Sequence, residues 1–192
     1  MSPAPADITI DQRHTMTPRE HIFLIGPGGV GKSTLGRLLA THSDRTAVDL
    51  DLEFCDRIGE IGAFIRKDGY QRYRELNLAL AKDLVAAQPA PIVFVTSSGF
   101  LAAAEDTQDY RQAFALVGTG YSICLLPSLD RDTATEIVAS RQLLRGFGAE
   151  RLSETDKFRR RFDIYRALGD LLVVSTAAPE AIAERVMPML RL

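Results

Sequence analysis

The chain has 192 residues, of which 46% are hydrophobic and 25% charged, with a formal net charge of −2. This length favours a single globular domain with a sizeable core. The near-neutral charge argues against nucleic acid as a partner, and no apolar run reaches the roughly 18 residues that would span a membrane. Two cysteines without metal-ligand or disulfide spacing fit a reducing compartment. We therefore expect a monomer of the cytoplasm.

The first 20 residues are polar and contain three prolines. They lack the apolar stretch of a secretory signal. We predict a flexible leader over residues 1–20, in which a short ordered piece near Ile8 and Ile10 would be compatible, and a single domain over residues 21–192.

Strand and helix patterns alternate from residue 22 onward. Short apolar runs predict five buried strands, over residues 22–25, 47–50, 92–96, 121–126 and 171–175. Helical spacing predicts the helices between and after them, over residues 32–42, 52–59, 61–67, 70–88, 108–116, 130–139, 151–168 and 179–190. The stretch 141–150 contains two glycines and is predicted as a mobile loop. Such alternation indicates right-handed βαβ units, so we predict an α/β sandwich with a five-stranded parallel sheet.

Residues 26–33 match the P-loop pattern G-x-x-x-x-G-K-[ST], between a predicted strand and a predicted helix. Backbone N–H groups of such a loop form an anion nest, and the following helix adds its positive dipole end. Lys32 would place its charge on the β- and γ-phosphates, and Ser33 would bind Mg²⁺. The predicted nucleotide-binding residues are Gly28, Gly29, Val30, Gly31, Lys32, Ser33 and Thr34.

A P-loop leaves the phosphate acceptor open, because GTPases, ATPases and small-molecule kinases all contain it. The sequence has no N-K-x-D guanine motif. Its absence from so short a chain favours kinases of small metabolites or nucleotides.

From about residue 22 to near the C-terminus the chain resembles the shikimate kinase family. The stretch 22–37 is similar to the start of that family, and four further landmarks follow in order. The resemblance implies a P-loop nucleoside-kinase-like three-layer sandwich with a mobile lid at about 140–150 and an acceptor-binding segment at about 51–80. It also implies ATP and Mg²⁺ as cofactors, and conversion of shikimate to shikimate 3-phosphate in aromatic amino acid biosynthesis.

The first landmark is Asp49-Leu50-Asp51, which resembles the Asp-x-Asp element of the family. The resemblance implies that Asp49 lies near the magnesium ion and that Asp51 binds a substrate hydroxyl. A carboxylate can also accept the proton of that hydroxyl during transfer, so Asp51 is the candidate base. The alternative is that both carboxylates are solvated residues of a loop.

The other landmarks each place one arginine. Residues 69–75 resemble a family motif whose arginine binds the substrate carboxylate, which implies this role for Arg74. Residues 140–144 resemble the lid motif of the family, which implies that Arg141 is the lid arginine. Residues 161–165 resemble a third motif, which implies that Arg161 is a second ligand of the carboxylate. Two converging guanidinium groups would demand an anionic acceptor. The alternative for Arg161 is a solvated helix face, because its neighbours are also basic.

The acceptor side departs from the family at two places. Ser97-Ser98-Gly99 stands where shikimate kinases have three glycines, and these residues would line a narrower pocket with added hydroxyl groups. Asn77 stands where the family has a glutamate that braces the substrate arginine. These departures keep two alternatives open: a kinase of a different polyol acid, and a ligand sensor with this fold that no longer turns over.

Overall fold

The computed structural model describes residues 7–18, 20–143 and 151–190. The strands are β1 (Ile8–Gln12), β2 (Ile22–Ile25), β3 (Thr46–Asp49), β4 (Ile92–Val95), β5 (Tyr121–Leu126) and β6 (Leu171–Ser175). The helices are α1 (Lys32–His42), α2 (Leu50–Arg57), α3 (Ile61–Asp68), α4 (Tyr70–Ala86), α5 (Gln108–Val117), α6 (Arg131–Leu143), α7 (Arg151–Ala167) and α8 (Pro179–Val186), and a 3₁₀ turn over Met187–Met189 follows.

The strands form one sheet in the order β1-β6-β5-β2-β4-β3. Five of them are parallel, whereas β1 pairs with β6 in the antiparallel direction. Strands β2, β4 and β5 are buried along their whole length, as expected for the centre of a parallel sheet. The predicted α/β class is confirmed, but the prediction of five strands was one too few.

The extra strand lies within the predicted leader, at the short ordered piece expected near Ile8 and Ile10. Residues Ile8 to Gln12 pair in register with Leu171 to Ser175, and Met16 is only 1% exposed. The side chain of Arg13 donates to the carbonyls of Arg166, Ala167 and Leu168 at the end of α7. This segment is therefore part of the domain.

Helix α1 lies close against the sheet because of Gly36. A Cβ atom at this position would lie 2.5 Å from Cγ2 of Val95 and 3.1 Å from Cδ1 of Leu24. Any larger residue would push the helix away from β2 and β4. The close approach fixes the start of α1, and with it the P-loop, over the carboxyl ends of those strands.

Helix α6 extends further than the sequence indicated. Ser140 to Leu143 are helical, so the predicted mobile loop does not begin at residue 141. The rest of the predicted lid, residues 144–150, lies outside the described residues.

Candidate active site

Three polar segments meet at one edge of the sheet. The P-loop follows β2, Asp49 ends β3, and Thr96 and Ser97 follow β4. These strands are adjacent and parallel, so their carboxyl ends share an edge, which is where open α/β sheets bind ligands. Thr96 is fixed there, because its backbone N–H and its hydroxyl both donate to the carbonyl of Leu24 at 3.0 Å.

The P-loop has the backbone conformation that its glycines allow. Gly29 and Gly31 have φ values of 77° and 102°, in the region that other residues rarely adopt. Lys32 is buried, and its Nζ donates to the carbonyls of Gly26 at 2.8 Å and Pro27 at 3.0 Å. Burial lowers the pKa of Lys32 to about 8, although the carboxylates of Asp51 and Asp49 oppose this shift.

A cavity of about 300 Å³ lies over this loop. The structure brings together there all seven predicted nucleotide-binding residues, from Gly28 to Thr34, with Asp49, Asp51, Thr96 and Ser98. The backbone N–H groups of the loop, the buried lysine and the polar lining of this cavity suit a chain of phosphate groups.

Oxygen donors for a magnesium ion are present in the same cavity. Ser33 and Asp49 both line it, and Asp49 also caps helix α2 by accepting the backbone N–H of Asp51 at 3.1 Å. No group of three metal-binding side chains occurs among the described residues. The donor set therefore fits a metal ion held partly by nucleotide phosphates and water, as Mg²⁺ commonly is.

Arg141 lies on the other side of the P-loop. It lines a cavity of about 260 Å³ together with Gly29, Gly31, Thr34 and Pro179. The last turn of α6 thus brings the predicted lid arginine to the nucleotide region.

Asp51 sits where the nucleotide cavity meets a second, larger one, because it lines both. Its Oδ1 atom is buried and has no hydrogen-bond partner among the described residues. Burial raises the pKa of Asp51, and a hydrogen bond from Ser97 and the charge of Lys32 oppose this shift. A buried acceptor atom with a raised pKa is suited to take a proton from a hydroxyl group.

The side chains of Asn77 and Ser97 contact each other. Both are buried, and Nδ2 of Asn77 donates to Oγ of Ser97 at 2.7 Å. A hydrogen bond from Ser97 to Asp51 connects this pair to the carboxylate.

The second cavity has a volume of about 710 Å³. One wall is apolar and contains Ile61, Ile65, Ala102, Ala103 and Ile164. The polar groups around it are Asp51, Tyr70, Tyr73, Ser98, Arg160 and Arg161. A cavity with an apolar wall and a few polar groups is typical of a small-molecule site.

Arg161 faces this cavity from α7, unlike its neighbour Arg159, which pairs with Asp132 on α6. Its Nη1 lies 3.3 Å from Oγ of Ser98, and its Nη2 lies 3.1 Å from the hydroxyl of Tyr70. The alternative of a solvated helix face therefore does not describe Arg161.

Arg74 does not line this cavity, contrary to the predicted convergence of two arginines, but it lines a small cleft that shares Tyr73 and Gly99 with it. It forms an ion pair with Asp109 on α5, and the two side chains are only 18% and 17% exposed. Asn77 lines the same cleft but carries no charge that could pair with the guanidinium. The carboxylate of Asp109 pairs with it instead.

The family model for shikimate kinase matches residues 28–191. The shikimate kinase of Chromohalobacter salexigens is 33% identical over 86% of this chain and 89% of the relative. The shikimate kinase of Nitrosococcus oceani is 32% identical over 89% of this chain and 87% of the relative.

This chain belongs to the shikimate kinase family. The predicted class of enzyme, an ATP-dependent small-molecule kinase, is thereby confirmed. The fold agrees with this: shikimate kinase from Acinetobacter baumannii in complex with shikimate superposes with a TM-score of 0.68 at 20% identity, covering 88% of this chain and 92% of that one. No helix among the described residues is long and apolar enough to cross a membrane.

Sequence reasoning missed Tyr70, Asp109 and Arg160 in this member of the shikimate kinase family. Tyr70 stands within the motif that was used to place Arg74, but only its contact with Arg161 shows its position. Asp109 carries no local signal, because an acidic residue in the first turn of a helix is ordinary. Arg160 was set aside as part of a basic run.

Proposed function

We propose that this protein transfers the γ-phosphate of ATP to a hydroxyl group of shikimate. The observation that carries the proposal is that the nucleotide cavity and the larger cavity share Asp51 and Ser98 as lining residues. A phosphate at Lys32 and a hydroxyl group at Asp51 would therefore meet at one point. The similarity to shikimate kinases supports shikimate as the acceptor.

Each residue has a role that follows from its place. Asp51 accepts the hydroxyl proton while the acceptor oxygen bonds to the γ-phosphorus and the bond to ADP breaks. Lys32 and Arg141 stabilise negative charge on the transferring group, and Arg161 binds the acceptor carboxylate. Ser33 and Asp49 would hold Mg²⁺, which neutralises phosphate charge when it is bound.

We infer further that the protein acts as a monomer in the cytoplasm. The P-loop, Asp51 and Arg161, which carry the proposed reaction, all belong to one chain. Light scattering after size-exclusion chromatography tests the oligomeric state, and a dimer would contradict this inference.

The experiment that tests the proposed function is ADP release from Mg-ATP with a panel of acceptors. We expect turnover with shikimate, and little with quinate, gluconate or nucleoside monophosphates. Lys32→Ala should abolish it, whereas Lys82→Ala, at an exposed position on α4, should not. Turnover with gluconate alone would show that the acceptor is wrong, and silence with every acceptor would refute phosphoryl transfer.

A further inference from the structure

The larger cavity contains a tyrosine–arginine pair where the family resemblance implied two arginines. Tyr70 begins helix α4 and lines the cavity, and its hydroxyl oxygen lies 3.1 Å from Nη2 of Arg161. Ser98 contacts the other terminal nitrogen of the same guanidinium at 3.3 Å. The guanidinium is thus held from two sides at the cavity wall.

The chemistry of this pair leaves a donor for a ligand. In the contact with Arg161, which has no lone pair to offer, the tyrosine oxygen is the acceptor. The phenol hydrogen is therefore available to a second acceptor, and Tyr70 is 42% exposed. A carboxylate placed beside the pair can accept from both the phenol and the guanidinium.

Gly99 makes room for this arrangement. A Cβ atom at residue 99 would lie 2.6 Å from the hydroxyl oxygen of Tyr70 and 3.1 Å from Nη2 of Arg161. Any side chain there would displace one of the two groups. Gly99 is thus the residue of Ser97-Ser98-Gly99 against which Tyr70 and Arg161 pack.

Arg74 is paired with Asp109 and does not line the cavity. Burial opposes ionisation of Asp109, but a hydrogen bond from Thr107 and the charge of Arg74 lower its pKa below the usual value, so the carboxylate is charged at neutral pH. The Oδ2 atom of Asp109 lies 2.5 Å from Nη2 of Arg74. This oxygen is buried and has no hydrogen-bond partner among the described residues. Moving Arg74 into the cavity would leave a buried carboxylate oxygen unpaired, which is unfavourable.

We propose that Tyr70 replaces Arg74 as the second ligand of the acceptor carboxylate and that it also positions Arg161. The inference rests on the proposed function, since it concerns the same acceptor site. It specifies that the carboxylate of the acceptor is bound by one guanidinium, that of Arg161, and by one neutral hydroxyl donor, that of Tyr70. Arg74 then serves the packing of α4 against α5.

Tyr70→Phe removes only the hydroxyl group and tests this directly. A hydrogen bond to a charged group is typically large enough to change affinity by about tenfold. We expect the KM for shikimate to rise by about that factor, with kcat and the KM for ATP changed by less than about twofold. A residue needed only for packing would not raise one KM selectively.

Arg74→Gln is the discriminating variant, and Arg72→Gln on the exposed face of the same helix is the matched control. We expect both to keep the KM for shikimate within about twofold of the wild type, while Arg74→Gln lowers the melting temperature. In a double-mutant cycle, Tyr70→Phe should have a smaller effect when Arg161 is already replaced by Lys.

Two results separate the failure of this inference from the failure of the proposed function. If the wild type turns over shikimate but Tyr70→Phe matches it, or if Arg74→Gln raises the KM for shikimate about tenfold, the role of Tyr70 is refuted and the function stands. If the wild type does not turn over shikimate, both are refuted.

Discussion

Asp51 combines a position between two cavities with an unpaired buried oxygen and a raised pKa. It accepts a hydrogen bond from Ser97, whose oxygen in turn accepts one from Asn77. Its carboxylate can therefore both orient a hydroxyl group and accept the proton.

Replacing Asp51 by Asn should remove the base and keep the shape of the site. We expect kcat to fall by roughly 100-fold to 10,000-fold, with a much smaller change in the KM for ATP. Steady-state assays of ADP release measure both quantities. A kcat within tenfold of the wild type would show that Asp51 is not the base.

The raised pKa of Asp51 predicts a pH dependence of known sign. The base must be deprotonated, so kcat/KM should fall as the pH decreases through the pKa of Asp51. Since burial raises this pKa, the fall should begin above the usual range of an aspartate, which is about 3.9. A profile that stays flat down to that range would contradict the assignment.

The lowered pKa of Lys32 predicts that nucleotide binding is coupled to the uptake of a proton. Its pKa of about 8 in the free protein lies below the ordinary 10.5, because the amine is buried. Phosphate charge favours the protonated form, so binding raises this pKa and takes up a proton when the pH exceeds about 8. The affinity for Mg-ATP should therefore decrease as the pH rises above about 8.

Calorimetry at pH 9 in two buffers of different ionisation enthalpy measures this uptake. We expect up to about one proton per Mg-ATP at pH 9 and close to none at pH 7. Equal heats in both buffers at pH 9 would contradict the buried, partly neutral state of Lys32.

At the scale of single residues, local signals identified the nucleotide side. The P-loop pattern requires a tight turn at fixed spacing, so Lys32 and Ser33 could be placed from the sequence. Arg74 could not, because its position depends on Asp109, which follows much later in the chain and on another helix. A partner brought near only by folding gives no sequence signal.

Among the elements, β1 and the segment after it stabilise α7, which carries Arg161. Arg13 donates to three carbonyls at the C-terminal end of α7, where carbonyl groups lack helical partners. His14 and Ser122 both contact Asp170, directly after this end. The position of Arg161, which lines the larger cavity, thus depends on the first described residues of the chain.

Arg13→Ala should lower the free energy of unfolding by about 1–2 kcal/mol, because the hydrogen bonds are lost at a partly exposed site. Urea denaturation measures this change. Arg185→Ala, on the exposed face of α8, is the matched control and should change the stability by less than about 0.5 kcal/mol. Equal effects of the two substitutions would show that the Arg13 contacts do not stabilise α7.

Only Val48 is buried in β3, but the other four parallel strands could be predicted because each is a mostly buried apolar run. Strand β1 could not, since Thr9, Asp11 and Gln12 make it mostly polar and only half of it faces the protein. Its structure comes from pairing with the free edge of β6, which is a tertiary effect.

For the whole molecule, the order of the strands brings together the residues that we propose bind the phosphate donor and the acceptor. Strands β3, β4 and β2 are neighbours, so Asp51, Ser98 and Lys32 meet although they are far apart in sequence. The alternation of strands and helices predicts this class of fold. The shape of the acceptor cavity also depends on contacts between α4, α5 and α7 that no local pattern reveals.

Phosphorus NMR of a mixture of Mg-ATP, shikimate and the wild-type protein tests most directly whether the two cavities together carry out one phosphoryl transfer. We expect a new phosphate ester of shikimate that appears one for one with ADP. ADP with free inorganic phosphate and no ester, or no change in ATP, would contradict it.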